Sequence, residues 1–324
     1  MTTKIVFFGT SDRSVPILES LKINFSLVLC VTKEDVVVGR HQTPKEVEVK
    51  RWAKENGVKF VTINESLKKE AQKIIEQIKC SGAVLGVVAD FGFIIPQEIL
   101  AIFPQGLINI HFSLLPKYRG ASPVQFAILN GDAQTGITYQ LMEKTLDTGP
   151  IVDQITYKLI GTETSGELYK TLFNLSAKHL PKIINDYLDG KTTPKAQNET
   201  QASYTYSPTH PSATYIFKED AKINWNDDVK KIDACIRAYN PWPTAWTTLG
   251  EMQKAKDKII GFTHIKDSKN ASKVAKIYEV KTLDNKVAIE KIQPESGKIL
   301  SWEQFKNGYL QHPRGIVERQ ARGA

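Results

Sequence analysis

The stretch KIVFFGT, residues 4–10, sets the fold class of this chain. Four apolar side chains follow Lys4, and the run ends at Gly9-Thr10, a pattern typical of a buried strand that passes into a loop. Residues 15–21 then have helical spacing, and residues 26–31 form a second apolar run. This order predicts a β-α-β unit, in which the two strands run parallel.

Residues 1–160 keep this alternation of strand-like and helix-like segments. Further strand-like runs lie at 60–63, 83–89 and 107–111, and helix-like segments lie at 45–56 and 67–79. We therefore expect an α/β domain with a parallel sheet and helices on both faces. Functional residues of such sheets collect at the carboxyl ends of the strands, so the turns at 9–10 and 90–92 should lie on one edge with His111.

The second half of the chain has a different pattern. Residues 163–188 have the periodicity of one long helix that ends at Gly190, and residues 191–214 are rich in Thr, Pro, Ser, Asn and Gln. A helix-like segment at 227–239 is followed by short alternating runs at 245–249, 258–265, 274–280 and 286–292. We predict a domain at 1–190, a linker at 191–215 and a small β-barrel domain at 216–324.

Net charge is uneven along the chain. The formal net charge is +8, and residues 216–324 contribute +6 of it, with 20 Lys and Arg against 14 Asp and Glu. A basic domain favours a polyanionic partner, because Lys and Arg gain affinity when they release counterions from phosphates. A Lys-rich solubilising surface explains the same charge, and composition does not separate the two.

Composition and motifs narrow the class of protein. Cys30, Cys80 and Cys235 are widely spaced and odd in number, so we expect reduced core residues without a disulfide framework or a zinc site. No stretch resembles a signal peptide or a membrane span, which favours a soluble cytoplasmic protein. Neither a phosphate-binding loop nor a dinucleotide fingerprint is present, so the parallel sheet does not imply a nicotinamide cofactor.

Residues 109–116, NIHFSLLP, carry the clearest candidate chemistry. If 109–111 end a strand, Asn109 and His111 point to the same face, since strand side chains alternate. An amide and an imidazolium aimed at one atom could stabilise a developing oxyanion, and Leu114-Leu115-Pro116 would form an apolar wall for a flat ring. The alternative is a buried His and Asn that only satisfy nearby backbone groups.

A carboxylate follows in the turn LDTGP, residues 146–150. Asp147 could face the imidazole of His111 and relay a proton. It could equally cap backbone N–H groups of its own turn. The spacing alone leaves both interpretations open.

Together these two motifs resemble the active-site signature of formyltransferases that use 10-formyltetrahydrofolate. The segments 4–10 and 87–96 resemble the first strand and the folate-side loop of this family. The segments 235–243 and 292–298 resemble the C-terminal domain of the branch that formylates methionyl initiator tRNA. The resemblance covers nearly the whole chain in the right order.

The resemblance implies a Rossmann-like formyltransferase domain, followed by a small OB-like β-barrel domain that binds tRNA. It implies a cytoplasmic monomer that needs no metal ion, in which 10-formyltetrahydrofolate is the donor and the amine of methionyl initiator tRNA is the acceptor. The residues at the matching positions are, for catalysis, Asn109, His111 and Asp147; for tetrahydrofolate, Ser113, Leu114, Leu115 and Pro116; and for the tRNA acceptor end, Arg40.

The chain also departs from the family pattern. Phe112 stands where a small residue is common, which could reshape the folate corner, and the loop at 41–48 is less basic than usual. Three other functions stay open: formyl transfer to a nucleotide-linked amino sugar, hydrolysis of the donor to formate, and RNA binding without catalysis. Exposed aromatics would favour RNA binding, although we expect Trp242, between two prolines, to lie in the core.

Overall fold

The computed structural model describes residues 2–38 and 43–311. The strands are β1 (Lys4–Phe8), β2 (Ser26–Lys33), β3 (Val36–Val38), β4 (Thr43–Lys45), β5 (Phe60–Ile63), β6 (Leu85–Ala89), β7 (Leu107–His111), β8 (Gln134–Leu141), β9 (Ile151–Lys158), β10 (Trp246–Thr248), β11 (Val274–Leu283), β12 (Lys286–Pro294) and β13 (Leu300–Ser301). The helices are α1 (Val15–Asn24), α2 (Glu48–Glu55), α3 (Ala71–Ser81), α4 (Gln97–Leu100), α5 (Pro123–Leu129), α6 (Ser165–Leu188), α7 (Val229–Ala238), α8 (Leu249–Lys254) and α9 (Trp302–Tyr309).

Seven strands form the large sheet, in the order β5-β2-β1-β6-β7-β8-β9. The first five strands of this order pair in parallel, while β8 and β9 extend the sheet with antiparallel pairing. β1 and β6 are almost fully buried, which explains why their sequences are continuous apolar runs rather than alternating ones. The predicted α/β sheet is confirmed, and the pairing β7–β8 brings a late segment of the chain against His111.

The second half of the chain forms a four-stranded antiparallel sheet, in the order β10-β11-β12-β13. Its core contains buried side chains of β11, β12, α7 and α9, among them Ile277, Ile292, Ile232 and Phe305. The predicted fold class, a parallel-sheet domain followed by a small domain of β-strands, is therefore confirmed; these strands are antiparallel, and their closure into a barrel stays a prediction. A predicted strand at 258–265 is wrong, because Gly261 has a φ of +71° there and only single bridges form at Ile259 and Ile265.

By backbone contacts the chain divides into two compact units. One contains Met1–Pro123, Gln134–Lys158 and Tyr169–Tyr204, and the other contains Val124–Ala133, Leu159–Leu168 and Thr205–Ala324. Two expectations about single residues are wrong. Cys80 is exposed rather than part of a core, and Trp242 is 57% exposed. Within the described residues, no helix has the length and apolar character needed to cross a membrane.

Asp220 organises the irregular chain between residues 207 and 221. Its carboxylate accepts hydrogen bonds from the Ser207 hydroxyl, from the Thr209 N–H and hydroxyl, and from the Phe217 N–H at 2.9 Å. Burial raises the pKa of Asp220, but these hydrogen bonds outweigh burial, so its pKa lies below the ordinary value. The folded state therefore favours the ionised carboxylate.

We expect Asp220→Asn to lower the free energy of unfolding at pH 7 by about 1 kcal/mol, the scale of a hydrogen bond to a charged, partly exposed group. Because the folded pKa is depressed, this stability is fully present above the unfolded pKa of about 3.9 and is lost as the pH falls through the folded value. Denaturant unfolding at pH 7 and near pH 3 measures the difference. The exposed Asp257→Asn is the control, and an equal loss at both pH values would contradict the prediction.

Candidate active site

The site is built at the carboxyl end of β7. Asn109 and His111 lie on the same face of this strand, and the antiparallel register places them opposite Gln140 and Thr138 of β8. Asn109 is half-buried and His111 is 6% exposed. The sheet thus presents an amide and an imidazole side by side, with a second amide, that of Gln140, directly across the strand pair.

The carboxylate of Asp147 lies at the centre of this group, with a side chain that is 9% exposed. Its Oδ1 accepts a hydrogen bond from Gln140 Nε2 at 2.9 Å and is 3.4 Å from Asn109 Nδ2. Its Oδ2 accepts from the Gly120 N–H at 2.8 Å and is 3.6 Å from His111 Nδ1. The structure therefore brings Asn109, His111 and Asp147 together.

The tautomer of His111 follows from its second contact. His111 Nε2 is 2.9 Å from the carbonyl oxygen of Tyr118. A carbonyl oxygen can only accept, so Nε2 carries a hydrogen and donates it. Nδ1 is consequently the nitrogen that faces Asp147 and that can exchange a proton with groups in the site.

The turn that carries Asp147 has an unusual backbone. Asp147 has a φ of +52°, in the left-handed region that Asp tolerates better than most residues. Gly149 follows so close to β8 that a Cβ placed on it would lie 1.7 Å from the carbonyl oxygen of Leu141. Only glycine fits this approach, so the shape of the turn requires Gly149.

Residues 113–116 form a loop that β8 and β9 hold in place. The Thr138 hydroxyl donates to the Ser113 carbonyl at 2.6 Å, and Gln154 Nε2 donates to the Leu115 carbonyl at 2.9 Å. Ser113 and Leu115 are buried, and the Ser113 hydroxyl donates to the Lys117 carbonyl at 2.5 Å. Leu114 and Pro116 keep part of their surface accessible, so these two residues offer the apolar contact surface of the loop.

The predicted gathering of turns on one edge is confirmed for the first strand and β6. The Thr10 N–H and hydroxyl both donate to the Asp90 carbonyl, at 3.1 and 3.0 Å. Arg13 forms an ion pair of 2.6 Å with the Asp90 carboxylate. Arg40 lies outside the described residues, so its predicted contact with tRNA stays a prediction. Among residues 2–38 and 43–311, no three His, Cys, Asp or Glu side chains are arranged to hold a metal ion.

A second group of polar residues, which the sequence did not indicate, lies next to the Asp147 turn. Arg119 is fully buried, and its guanidinium donates to Gln197 Oε1 at 2.8 Å and to the Glu199 carboxylate at 2.7 Å. Gln197 in turn contacts Gln140 and the Asp147 turn. The sequence offered one signal only for Gln140, which lies in a strand-like run seven residues before Asp147. Arg119 looked like one charge in a basic turn.

The arrangement can stabilise a negative oxygen and move a proton without a covalent enzyme intermediate. The Asn109 amide has two hydrogens, and the one that does not face Asp147 can donate to a developing oxyanion. The His111 and Asp147 pair can hold a proton beside it. Such a site fits acyl transfer between nitrogen atoms, in which an oxyanion forms and a proton changes partners.

The comparisons with known proteins agree with this class. The family model described as formyl transferase matches residues 3–184, and the model described as formyl transferase, C-terminal domain, matches residues 215–310. The chain belongs to the formyl transferase family. Within it, the chain is similar over nearly its full length to proteins named methionyl-tRNA formyltransferase. The protein of this name from Legionella pneumophila (strain Paris) is 34% identical, covering 97% of this chain and 98% of its own length. The one from Clostridioides difficile (strain 630) is 33% identical, covering 95% of this chain and 98% of its own.

Solved structures share the fold at lower identity. An N-formyltransferase from Helicobacter canadensis, determined with folinic acid and dTDP-3-aminofucose, has a TM-score of 0.58 at 20% identity and covers 93% of this chain and 99% of its own. HypX from Aquifex aeolicus, determined with tetrahydrofolic acid, has a TM-score of 0.58 at 12% identity and covers 96% of this chain and 48% of its own. At these identities the likeness concerns the fold alone.

Proposed function

We propose that the chain transfers the formyl group of 10-formyltetrahydrofolate to the amino group of methionyl initiator tRNA, which gives formyl-methionyl-tRNA for translation initiation. The observation that carries the proposal is that Asn109 and His111 both face the buried carboxylate of Asp147. It is supported by full-length similarity to proteins named methionyl-tRNA formyltransferase.

The chemistry assigns a role to each of the three side chains. The neutral amine of the methionyl group attacks the formyl carbon, and a carbon–nitrogen bond forms as the carbonyl becomes a tetrahedral oxyanion. Asn109 and a protonated His111 stabilise that oxyanion, each donor contributing a few kcal/mol, roughly the scale measured in such sites. Asp147 orients the imidazole and accepts the proton that the amine loses. The oxyanion then returns to a carbonyl as the bond between the formyl carbon and N10 of the folate breaks, and N10 receives the proton that Asp147 had accepted.

The donor would be held beside this group by residues 113–116. Leu114 and Pro116 supply accessible apolar surface for the flat pterin ring, while Ser113 and Leu115 hold the loop in shape through buried contacts. The donor is a co-substrate, and the proposed reaction needs no metal ion, because the proton transfers use side chains only.

The acceptor is a polyanion, and its handling would fall to the basic C-terminal half and to Arg40. Residues 216–324 carry +6 of the net charge of +8. We propose 1–190 as the formyl-transfer domain, 191–215 as the linker and 216–324 as the tRNA-binding domain. We further propose that the chain acts as a monomer in the cytoplasm, where charged initiator tRNA is used.

A direct assay tests the function. Purified protein is given 10-formyltetrahydrofolate labelled in the formyl group, with charged methionyl initiator tRNA or with uncharged tRNA. We expect acid-stable label only on the charged tRNA. Free labelled formate would instead indicate a hydrolase. An intact donor would refute the proposed acceptor, and nucleotide-linked amino sugars and simple RNA binding would be tested next.

We expect Arg40→Ala to raise the KM for charged tRNA by about tenfold at low salt, since one phosphate contact would be lost, and to leave the KM for the folate within about twofold. The salt dependence of tRNA affinity should become shallower by about one contact. Steady-state kinetics at two salt concentrations measure both effects. The matched control is Lys79→Ala, which removes an exposed positive charge from the last turn of α3. Unchanged use of tRNA at both salt concentrations would remove Arg40 from the acceptor site.

A further inference from the structure

The side chain of Gln197 connects the turn of Asp147 to a buried charge. Gln197 Nε2 donates to the backbone carbonyls of Asp147 and Gly149, both at 2.8 Å, and is 3.3 Å from Gln140 Oε1. Gln197 Oε1 accepts from Arg119 Nε at 3.1 Å and from an Arg119 terminal nitrogen at 2.8 Å. One half-buried amide therefore uses its acceptor on Arg119 and its donors on the turn.

Hydrogen bonds to other residues hold the Arg119 side chain in place, so Arg119 can fix the position of the Gln197 amide. Its side chain is 0% exposed, and its remaining hydrogens are taken by Glu199, at 2.8 and 2.7 Å, and by the Tyr204 hydroxyl at 3.1 Å. The Glu199 hydrogen bond holds the pKa of the guanidinium above its ordinary value, so the charge is permanent. A planar guanidinium held by several partners defines the position of the Gln197 amide.

The geometry needs a side chain with an acceptor on one side and donors on the other. Gln and Asn have this arrangement, and Asn is one methylene shorter. A carboxylate at this position could still accept from Arg119, but its second oxygen would face two carbonyl oxygens. The chemistry of residue 197 is thus specified by its neighbours on both sides.

We propose that Gln197 is a positioning residue for the formyl transfer described above, and the proposal rests on that function. By holding the carbonyls of Asp147 and Gly149, and by contacting Gln140, it fixes the direction in which the Asp147 carboxylate points. Gln140 completes the link, because its Nε2 donates to Asp147 Oδ1 while its Oε1 faces Gln197.

The consequence concerns turnover rather than substrate affinity. The Asp147 carboxylate stands 3.4 Å from Asn109 and 3.6 Å from His111, so a small rotation removes both contacts. A misplacement of about 1 Å in a catalytic group costs up to about 10²-fold in rate. Among the described residues, the hydrogen bonds of Gln197 go to Arg119, Gln140 and the Asp147 turn and not to the loop at 113–116, so we expect both substrates to bind as before.

The test uses Gln197→Glu, which keeps the size of the side chain and the acceptor for Arg119 but removes the donors to the turn. We expect kcat to fall by about 10- to 100-fold, with the KM values for the folate and for charged tRNA within about threefold of wild type. Gln201→Glu makes the same chemical change on an exposed residue of the same segment and should leave kcat unchanged.

A second variant keeps the test decisive if Gln197→Glu does not fold. Gln197→Met retains length but has neither donor nor acceptor, so it should show the same loss of kcat per folded molecule, measured with the folded fraction from circular dichroism. A kcat within threefold of wild type in the folded variant, or a loss confined to KM, would overturn the proposal. Wild-type protein that fails to formylate tRNA would instead refute the proposed function, since no variant is involved.

Discussion

Asp147→Asn should lower kcat by about 10²- to 10⁴-fold while the protein stays folded, the range seen when a proton-transferring group is removed. The carboxylate accepts from Gln140 Nε2 on one oxygen and from the Gly120 N–H on the other. An Asn side chain has only one acceptor oxygen. Whichever way it turns, its NH₂ group faces a donor, and the negative charge beside His111 is lost.

The two orientations of the new amide have different partners but the same outcome. With its oxygen toward Gly120, the amide places NH₂ against the NH₂ groups of Gln140 and Asn109. With its oxygen toward Gln140, NH₂ meets the Gly120 N–H and cannot accept a proton near His111. The reaction then lacks both the fixed imidazole and the proton acceptor.

The measurement is single-turnover formyl transfer at saturating donor and tRNA, so that binding defects do not contribute. Asp189→Asn, an exposed carboxylate that pairs with Lys191, is the matched control and should keep wild-type turnover. Thermal unfolding verifies that Asp147→Asn is folded. A folded variant with turnover within threefold of wild type would show that Asp147 has a structural role only.

The geometry of Asn109 and His111 could be predicted because it depends on local rules. The strand-like segment at 107–111 predicts a strand, and because strand side chains alternate, residues 109 and 111 lie on one face. The turn at 146–150 could be predicted from Asp and Gly together. The parallel arrangement of the early strands followed from their spacing with intervening helices.

The partners of Arg119 could not be predicted, because they depend on contacts between distant parts of the chain. Gln197 and Glu199 lie 78 and 80 residues after Arg119. They belong to a polar stretch whose composition predicted a linker, and composition carries no information on which face of the protein such a stretch covers. The register of β8 against β7, which places Gln140 across from Asn109, is likewise a property of the sheet.

The position of the Phe112 side chain depends on a helix that lies far from it in the sequence. The sequence suggested that its size could change the folate corner. In the structure its ring packs on Phe173 of α6, with centroids 4.3 Å apart, and on the edge of Tyr169 at 5.9 Å. The large side chain, just after the end of β7, is therefore buried against α6.

The turn after Asp147 needs a glycine at residue 149 because the backbone of Leu141 lies directly against it. Leu141, at the end of β8, hydrogen-bonds through its N–H to the Pro150 carbonyl at 2.9 Å, which draws the two ends of the turn together. A Cβ on residue 149 would lie 1.7 Å from the Leu141 carbonyl oxygen and 2.9 Å from its carbon. These neighbours are backbone atoms of a sheet strand, so they cannot move aside as a flexible side chain would.

Gly149→Ala should therefore displace the turn, with a loss of about 3 kcal/mol in unfolding free energy, the upper part of the usual overpacking range, and a fall of about 10²-fold in kcat as Asp147 moves. The Gln197 bond to the Gly149 carbonyl would be lost in the same movement. Denaturant unfolding and single-turnover kinetics measure the two effects.

Gly308→Ala, in α9 where a Cβ meets no atom within 4 Å, should leave kcat unchanged and stability equal or slightly higher. If Gly149→Ala kept wild-type stability and turnover, the turn would not be held against β8. The support of Asp147 would then come from Gly120, Gln140 and the Gln197 bond to the Asp147 carbonyl, since these contacts do not pass through residue 149.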